Sequence, residues 1–576
     1  MKNMGSGTSK RKTVASTKKS GTTELALFAP YNEIVQLLGN WNNWQPMKMT
    51  RGDDGWWRTD IELPDGEYQY KFRVKSTSYF CNGQMVEVFD PYALSLTTDE
   101  REASIFVMKN GQREWVNYQW KHDATPLPAN GQLVIYELHV GDFPGKAEGQ
   151  GNFADVIAKL DYIADLGVNC IELMPVKQFH GKGWGYCLDS LFGVENRYGK
   201  PEDLCRFIDE CHGKGIRVII DGVYNHADSE APLTKIAYEY WFYKDNPDPP
   251  EMQWGPKYNY SHYDENLKLF PARKYVIDSI LFWVEKFHID GIRFDATRAI
   301  ANFDVLKELA DAAYAKINGV KHFLTVAEHV PEDPPIAGRD RGSPIDAAWH
   351  EALARHFQAV VSCTEQGGNR PDDLDGLINK INPATNGYEK PDRAVVYITS
   401  HDYKRLMTII GEDGKIFDEA AFRRMKLGSA LLLTSPGLPM LWMGQEFGFA
   451  ADKSLDPRPL NWDLLKNDRN LDLLKFNQGL IHLRRQTPAL QGETFEVVLK
   501  DDARKILAYK RWNGEGNVVL VVANLQDQPA GEVVLQGPFL QDGVWHEFFR
   551  NYDVTVNEGR LADQLGESEV KIFIRK

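Results

Sequence analysis

Ile289-Asp290-Gly291-Ile292-Arg293-Phe294-Asp295-Ala296-Thr297-Arg298 is the stretch on which the reading of this chain turns. It is an apolar, β-type run that carries an arginine and an aspartate two residues apart. In a strand, residues at that spacing share one face, so Arg293 and Asp295 point the same way at the strand's carboxyl end. A cation beside a carboxylate keeps the carboxylate ionised, and an ionised, aimed Asp is what a nucleophile needs. A lone R-x-D is equally a structural ion pair at a strand end. The stretches around it decide between the two.

Outward from this run the chain alternates strands and helices. Candidate strands are LVIYELHV (133–140), NCIELMPV (169–176), IRVIIDGV (216–223), HFLTVAE (322–328), AVVYITS (394–400) and PMLWMG (439–444), with Ile345–Trp349 as a weak eighth. Near-continuous apolar runs suit parallel strands buried on both faces. Between them lie helical patterns such as FADVIAKLDYIADLG and ARKYVIDSILFWVEKFH, several closed by Gly. The alternation predicts a (β/α)8 barrel over 125–492. One connection, 227–271, is rich in Tyr, Trp and Pro and short of helix or strand pattern. It reads as an inserted subdomain walling a cleft.

The flanks differ in texture. Residues 1–21 are Ser/Thr/Gly/Lys-rich without an acid, a disordered basic tail. Short strands separated by turn residues over 22–124 predict an immunoglobulin-like β-sandwich, and those over 493–576 a closing antiparallel sandwich. The chain is thus a multidomain protein of 576 residues with a central TIM barrel. Its net charge of −14 argues against nucleic acid or an anionic membrane as partner. Aromatics at 12% with 15 Trp agree with, but do not require, a carbohydrate site. Six cysteines without C-x-x-C pairing read as reduced thiols. With no apolar leader and no spanning run, the expectation is a cytoplasmic protein, a monomer or weak oligomer.

Polar residues gather at the carboxyl ends of successive predicted strands, the rim where barrel catalysis sits. The third strand ends in Asp221-Gly222-Val223-Tyr224-Asn225-His226, the fourth in Arg293 and Asp295, the fifth in Glu328, and the seventh in Ser400-His401-Asp402. Paired carboxylates on one rim point to glycoside chemistry. Asp295 would attack the anomeric carbon and Glu328 would serve as acid and then base. Asp402 would grip hydroxyls of the reacting sugar, with His226 and His401 donating to others. Tyr186, in Gly183-Trp184-Gly185-Tyr186, would offer a ring for stacking.

With Tyr136-Glu137-Leu138-His139-Val140-Gly141 and Gly437-Leu438-Pro439…Gly444-Gln445-Glu446, this set resembles the α-amylase family of retaining glycoside hydrolases and glucanotransferases. By the family's pattern Asp295 is the nucleophile, Glu328 the acid/base and Asp402 the transition-state stabiliser. Trp184, Tyr186, Asp221, His226, Arg293, Arg298 and His401 are then expected to bind substrate. G-N-W-N-N-W through Trp41 and Trp44, followed by Y-Q-Y-K-F, resembles the sandwich modules that precede the barrel in branching and debranching enzymes. The departures are informative. Arg298-Ala299 replaces a common Lys-His pair, and Ser400 stands before His-Asp as in branching enzymes, whereas the Asp221–His226 motif is closer to hydrolases. Asn225 matches a position that helps bind calcium in some members. With no carboxylate partner evident in the insert, calcium stays unassigned and no other cofactor is expected. The resemblance implies an α-glucan substrate and hydrolysis of α-1,4 bonds first. Branching or other glucanotransfer comes next, then α-1,6 or maltooligosyl-trehalose cleavage, and last a non-catalytic glucan-binding protein.

Overall fold

A computed structural model describes residues 20–181, 183–514 and 516–575. The predicted tail lies outside the described residues except for Ser20 and Gly21, which open the first strand of the N-terminal module. At the centre, eight strands form a closed parallel barrel in chain order. They are β1 (Ile135–Leu138), β2 (Cys170–Leu173), β3 (Arg217–Gly222), β4 (Gly291–Phe294), β5 (Leu324–Ala327), β6 (Ala347–Trp349), β7 (Ala394–Val396) and β8 (Leu438–Trp442), and β8 pairs back onto β1. Every residue of these strands is buried, as their apolar runs require. The weak candidate at 345–349 is β6.

Register sets the site. Asp221 on β3 lies opposite Arg293 on β4, and Phe294 lies opposite Ala327 on β5. The residues that follow Phe294 and Ala327, Asp295 and Glu328, therefore leave the barrel side by side. The outer helices begin and end where local chemistry dictates. Asn152 caps Phe153–Ile157 by accepting the Asp155 N–H, and Pro opens Pro201–Gly213 and Pro271–Phe287. Gly167, at φ 94°, closes Leu160–Leu166 in the left-handed region.

The insert carries more structure than its composition promises. Pro232–Trp241 is a helix, irregular at Ala237, whose Leu233, Ile236 and Trp241 are buried. Aromatic and β-branched residues lower helix propensity, but burial of that face overrides it.

The N-terminal module comprises two antiparallel sheets. One pairs Ser20–Phe28, Trp56–Pro64 and Thr50–Arg51; the other is built around Gly66–Lys75. It docks on the insert through polar contacts to the insert helix. Asn32 donates to the Ile236 carbonyl (3.0 Å), Ser78 to that of Thr234 (2.5 Å) and Ser76 to that of Lys235 (2.6 Å). The module thus braces the wall of the cleft. At the other end, a six-stranded antiparallel sheet and a two-stranded one enclose their own apolar core. Arg424 of helix Asp418–Thr434 ties this domain to the barrel, donating to the Leu525 carbonyl (2.8 Å) and to Asp527 (2.8 Å).

Candidate active site

The carboxyl rim of the barrel opens into a cleft of about 570 Å³. Nine of the ten residues expected at the site meet there. Asp295, Glu328, Asp402, Trp184, Tyr186, His226, Arg298 and His401 line the cleft, and Arg293 lies beneath it. Asp221, the tenth, is buried in the same network.

Arg293 organises that network. Its guanidinium is wholly buried and lies 4.6 Å from the ring centre of Trp349 on β6. Nη1 donates to both oxygens of Asp221 (2.7 Å each) and to Oδ1 of Asp295 (2.9 Å), while Nη2 pairs with Oε2 of Glu328 at 3.0 Å. One cation thus serves three carboxylates, which a two-residue spacing in sequence does not reveal. Burial pushes the Asp295 carboxyl up and Arg293 pulls it back, but the charges of Glu328 and Asp221 raise it further. Glu328 is likewise pushed up by burial, against Arg293, and by Asp402.

The polar partners of the two carboxyls differ. Each oxygen of Asp295 accepts an N–H, Oδ1 from Arg293 and Oδ2 from Asn225 Nδ2 (2.8 Å). That pattern favours the anion. Glu328 receives both its partners on Oε2, Arg293 and the Ala296 N–H (2.9 Å), and Oε1 accepts nothing among the described residues. Ala296 offers its N–H from a left-handed turn (φ 43°), a conformation costing a non-glycine residue about 1–2 kcal/mol.

The opposite wall is built from β7 and the loop after β8. Burial lowers the basicity of His401, but Asp402 and Glu137 overcome it and push the imidazole up to about 9. Its Nδ1 is held by Glu137 Oε1 (2.6 Å), leaving Nε2 toward Asp402 at 3.5 Å. Asp402 resists the effect of burial because His401 and Lys453 hold its carboxyl well below the usual range. Lys453 Nζ reaches Asp402 Oδ1 at 2.9 Å. Tyr186 stacks on His401 (centroids 5.1 Å, 17°) and donates its hydroxyl to Asp221 (2.6 Å), so its ring is fixed. Trp184 meets His401 edge-on at 5.3 Å. Burial lowers His226 to about 4, keeping it neutral; Nδ1 bonds Asn225 and the buried Nε2 has no partner.

The alpha amylase catalytic-domain family matches residues 142–329 and 354–501, more than half of the chain. The chain belongs to the alpha-amylase family. Residues 11–93 match carbohydrate-binding module 48, the isoamylase N-terminal domain. Malto-oligosyltrehalose trehalohydrolase of Mycobacterium tuberculosis is 30% identical over an alignment of 602 residues covering 90% of this chain and 96% of that one. The 1,4-alpha-glucan branching enzyme of Vibrio parahaemolyticus is 26% identical, over 87% of this chain and 69% of its own. In fold, the chain is similar to a pullulanase of Bacillus subtilis solved with maltose (TM-score 0.78, 19% identity, 97% of this chain and 85% of that one). It is also similar to a putative alpha amylase of Salmonella typhimurium (TM-score 0.74, 23% identity, 98% and 99%).

Within this alpha-amylase-family cleft several residues escape sequence reasoning. Lys453 and Leu455 come from an irregular loop, and Met252 and Trp254 from the insert. Glu137, inside the apolar β1, and Trp349 act through His401 and Arg293. Asn225 donates to Asp295 and bonds His226. Among the described residues, His180, Asp189 and Asp228 bring ligand atoms within 4.8 Å of one another, and burial with the charge of Asp228 pushes Asp189 up to about 8. No described cysteine is paired; Cys81, Cys170, Cys205 and Cys211 are buried and Cys187 and Cys363 exposed. No helix among the described residues is long and apolar enough to cross a membrane.

Proposed function

We propose that this chain is a retaining α-glucan hydrolase that cleaves α-1,4-glucosidic bonds. The observation that carries the reading is the asymmetry of the two carboxyls on Arg293. Asp295 is held by a donor on each oxygen, whereas Glu328 keeps one oxygen open to the cleft. A poised anion and a poised acid on one wall are the requirements of double displacement.

The Asp295 carboxylate forms a bond to the anomeric carbon as the bond to the leaving sugar's oxygen breaks, and the Glu328 proton passes to that oxygen. Glu328, now a carboxylate, takes a proton from water, whose oxygen displaces Asp295 and regenerates both groups. Asp402 accepts hydroxyls of the reacting sugar, and His226 Nε2 pairs with another. Tyr186 and Trp184 contact its apolar face.

A second reading is favoured by one observation, the likeness to a malto-oligosyltrehalose trehalohydrolase over nearly the whole of both chains. Under it the same residues act on a malto-oligosyltrehalose. Purified protein incubated with amylose, maltoheptaose and malto-oligosyltrehalose separates these. Reducing ends that rise as iodine colour falls support α-1,4 hydrolysis of starch-like chains. Free trehalose from the third substrate alone supports the second reading. An iodine shift with few new ends means glucan transfer, and silence on all three sinks the proposal.

A further inference from the structure

Beneath the rim the inside of the barrel is apolar: Ile135, Cys170, Ile219, Leu324, Val395 and Met440 pack together there. Two residues further along β1, β2 and β3, on the same inward face, stand Glu137, Glu172 and Asp221. Glu137 and Glu172 are partners in the register of β1 and β2, so their side chains leave neighbouring strands side by side. All three carboxyls are buried. Glu137 serves His401 and Asp221 serves Arg293, but Glu172 has no such task.

The three are provided for unequally. Asp221 receives Arg293 on both oxygens (2.7 Å each) and the Tyr186 hydroxyl on one (2.6 Å). Glu137 receives two N–H groups of His401, the ring Nδ1 on Oε1 (2.6 Å) and the backbone N–H on Oε2 (3.1 Å). Glu172 is given neither cation. Among the described residues it forms no ion pair, and its Oε2 is sealed from solvent without a hydrogen-bond partner.

An unpaired charge in that position is so costly that the group takes a proton instead. The charged groups that face Glu172 come from β1, β3, β4 and the segment after β7. Burial and then the charge of Glu137 push its carboxyl far above the usual carboxylate range; Asp221 adds to this, while Arg293 and His401 oppose it. Glu137 is the neighbour with room for that proton. Each of its oxygens has accepted one N–H, and a carboxylate oxygen can accept about two donors.

We propose that Glu172 is a positioning residue that keeps its proton and donates it in a hydrogen bond to Glu137, completing a chain of Glu172, Glu137, His401 and Asp402 from the barrel interior to the cleft. Glu172 steadies the Glu137 carboxylate, Glu137 holds both the ring and the backbone of His401, and His401 Nε2 lies 3.5 Å from Asp402. An uncharged Glu172 also leaves Arg293 wholly to Asp221, Asp295 and Glu328. The catalytic consequence rests on the roles proposed above for Asp295, Glu328 and Asp402; the location of the proton does not.

The test compares the full-length parent with Glu172→Gln, which is uncharged and offers an N–H in place of the O–H, and with Glu172→Met, which fills similar space and offers nothing. The infrared spectrum of the parent minus that of Glu172→Gln at pH 7 should show the carbonyl stretch of an un-ionised carboxyl. On maltopentaose, Glu172→Met should lower kcat about tenfold with KM little changed, the equivalent of one hydrogen bond. Glu172→Gln should restore that kcat to within about twofold of the parent, with the alkaline limb of kcat/KM where the parent has it. Carboxylate bands in the difference spectrum overturn the proposal. So does an alkaline limb moved to lower pH in Glu172→Gln, because removing a negative charge would let Glu328 ionise more easily. Equal kcat in Glu172→Met and the parent makes Glu172 a filler of the core and overturns it too. Should Glu172→Met fail to fold, the spectrum and the Glu172→Gln profile still decide. A parent that shows the un-ionised carboxyl but cleaves no α-glucan keeps the proton on Glu172 and removes the hydrolase reading. A parent that cleaves α-glucan without that band removes the proton and leaves the hydrolase standing.

Discussion

The two walls of the catalytic cleft are built on opposite principles. On the β4–β5 wall, Asp221, Asp295 and Glu328 share one wholly buried guanidinium at 2.7 to 3.0 Å, and Trp349 backs it. On the wall formed by β7 and the loop after β8, Asp402 is 36% exposed and answers to Lys453, 46% exposed, on irregular chain. The first wall is preorganised charge in a low dielectric, where each contact is strong and hard to rearrange. The second is a solvated pair that can open at small cost. In the mechanism proposed above, the reacting groups stand on the rigid wall, and the group that meets an arriving sugar stands on the adjustable one.

The largest effects are therefore expected on the rigid wall. Asp295→Asn and Glu328→Gln should each lower kcat on the order of 10^4-fold or more while leaving the fold intact. A substrate with a good leaving group should restore the first step to Glu328→Gln and not to Asp295→Asn. Near-normal turnover by either variant would contradict the roles. Next is Arg293→Met, which strands three buried carboxyls and should cost about 3–5 kcal/mol of stability at neutral pH. Because protonation relieves the repulsion, the loss measured by denaturant titration should shrink toward pH 5. A loss that does not change with pH would mean that Arg293 matters for packing against Trp349 rather than for charge.

The contrast between the walls also explains what the sequence disclosed. The rigid wall comes from strands whose spacing of two and mutual register are properties of a barrel, so Asp221, Arg293, Asp295 and Glu328 could be aligned from the apolar runs alone. What could not be read was how one arginine divides itself, because that depends on the side chains of three strands at once. The role of Glu137 was hidden for a related reason: it lies in a motif of the first strand, but its bond to His401, 264 residues away, exists only in the fold. Glu446 shows the converse. It lies in a recognisable motif, yet it is buried beneath the rim between the hydroxyls of Tyr136 (2.9 Å) and Tyr162 (2.6 Å). Lys453 and Leu455 sit on chain with no periodicity, where sequence patterns have nothing to hold.

On the second wall, beneath Asp402, stands His401, and its charge gives an intermediate effect. Its folded value, about 9, lies above its ordinary 6.5. Its contribution to stability is therefore fully present below about pH 6.5 and is lost as pH rises through 9. Asp402 behaves oppositely: its depressed value gives stability above its ordinary 3.8 that is lost as pH falls through the folded value. Thermal unfolding of the parent should weaken between pH 6.5 and 9 by at most a few kcal/mol. His401→Gln should flatten that slope. An unchanged slope would remove His401 from the charge balance of the site.

The smallest effect belongs to Lys453 and is the most informative about the adjustable wall. An exposed ion pair contributes about 0–1 kcal/mol, so Lys453→Met should leave the melting temperature essentially where it is. Its kinetic effect depends on what happens at Asp402 when sugar arrives. The carboxylate cannot give the same oxygen fully to both an ammonium and a sugar hydroxyl, so if Lys453 steps aside, binding must first break the 2.9 Å contact. Removing the lysine then lowers KM a few-fold, with kcat little changed, because the broken contact is absent from both the bound ground state and the transition state. If instead Lys453 stays and donates to the substrate alongside Asp402, the same variant raises KM and lowers kcat together. The two outcomes differ in the sign of the KM change, so steady-state kinetics on a single maltooligosaccharide distinguishes a wall that yields from one that grips.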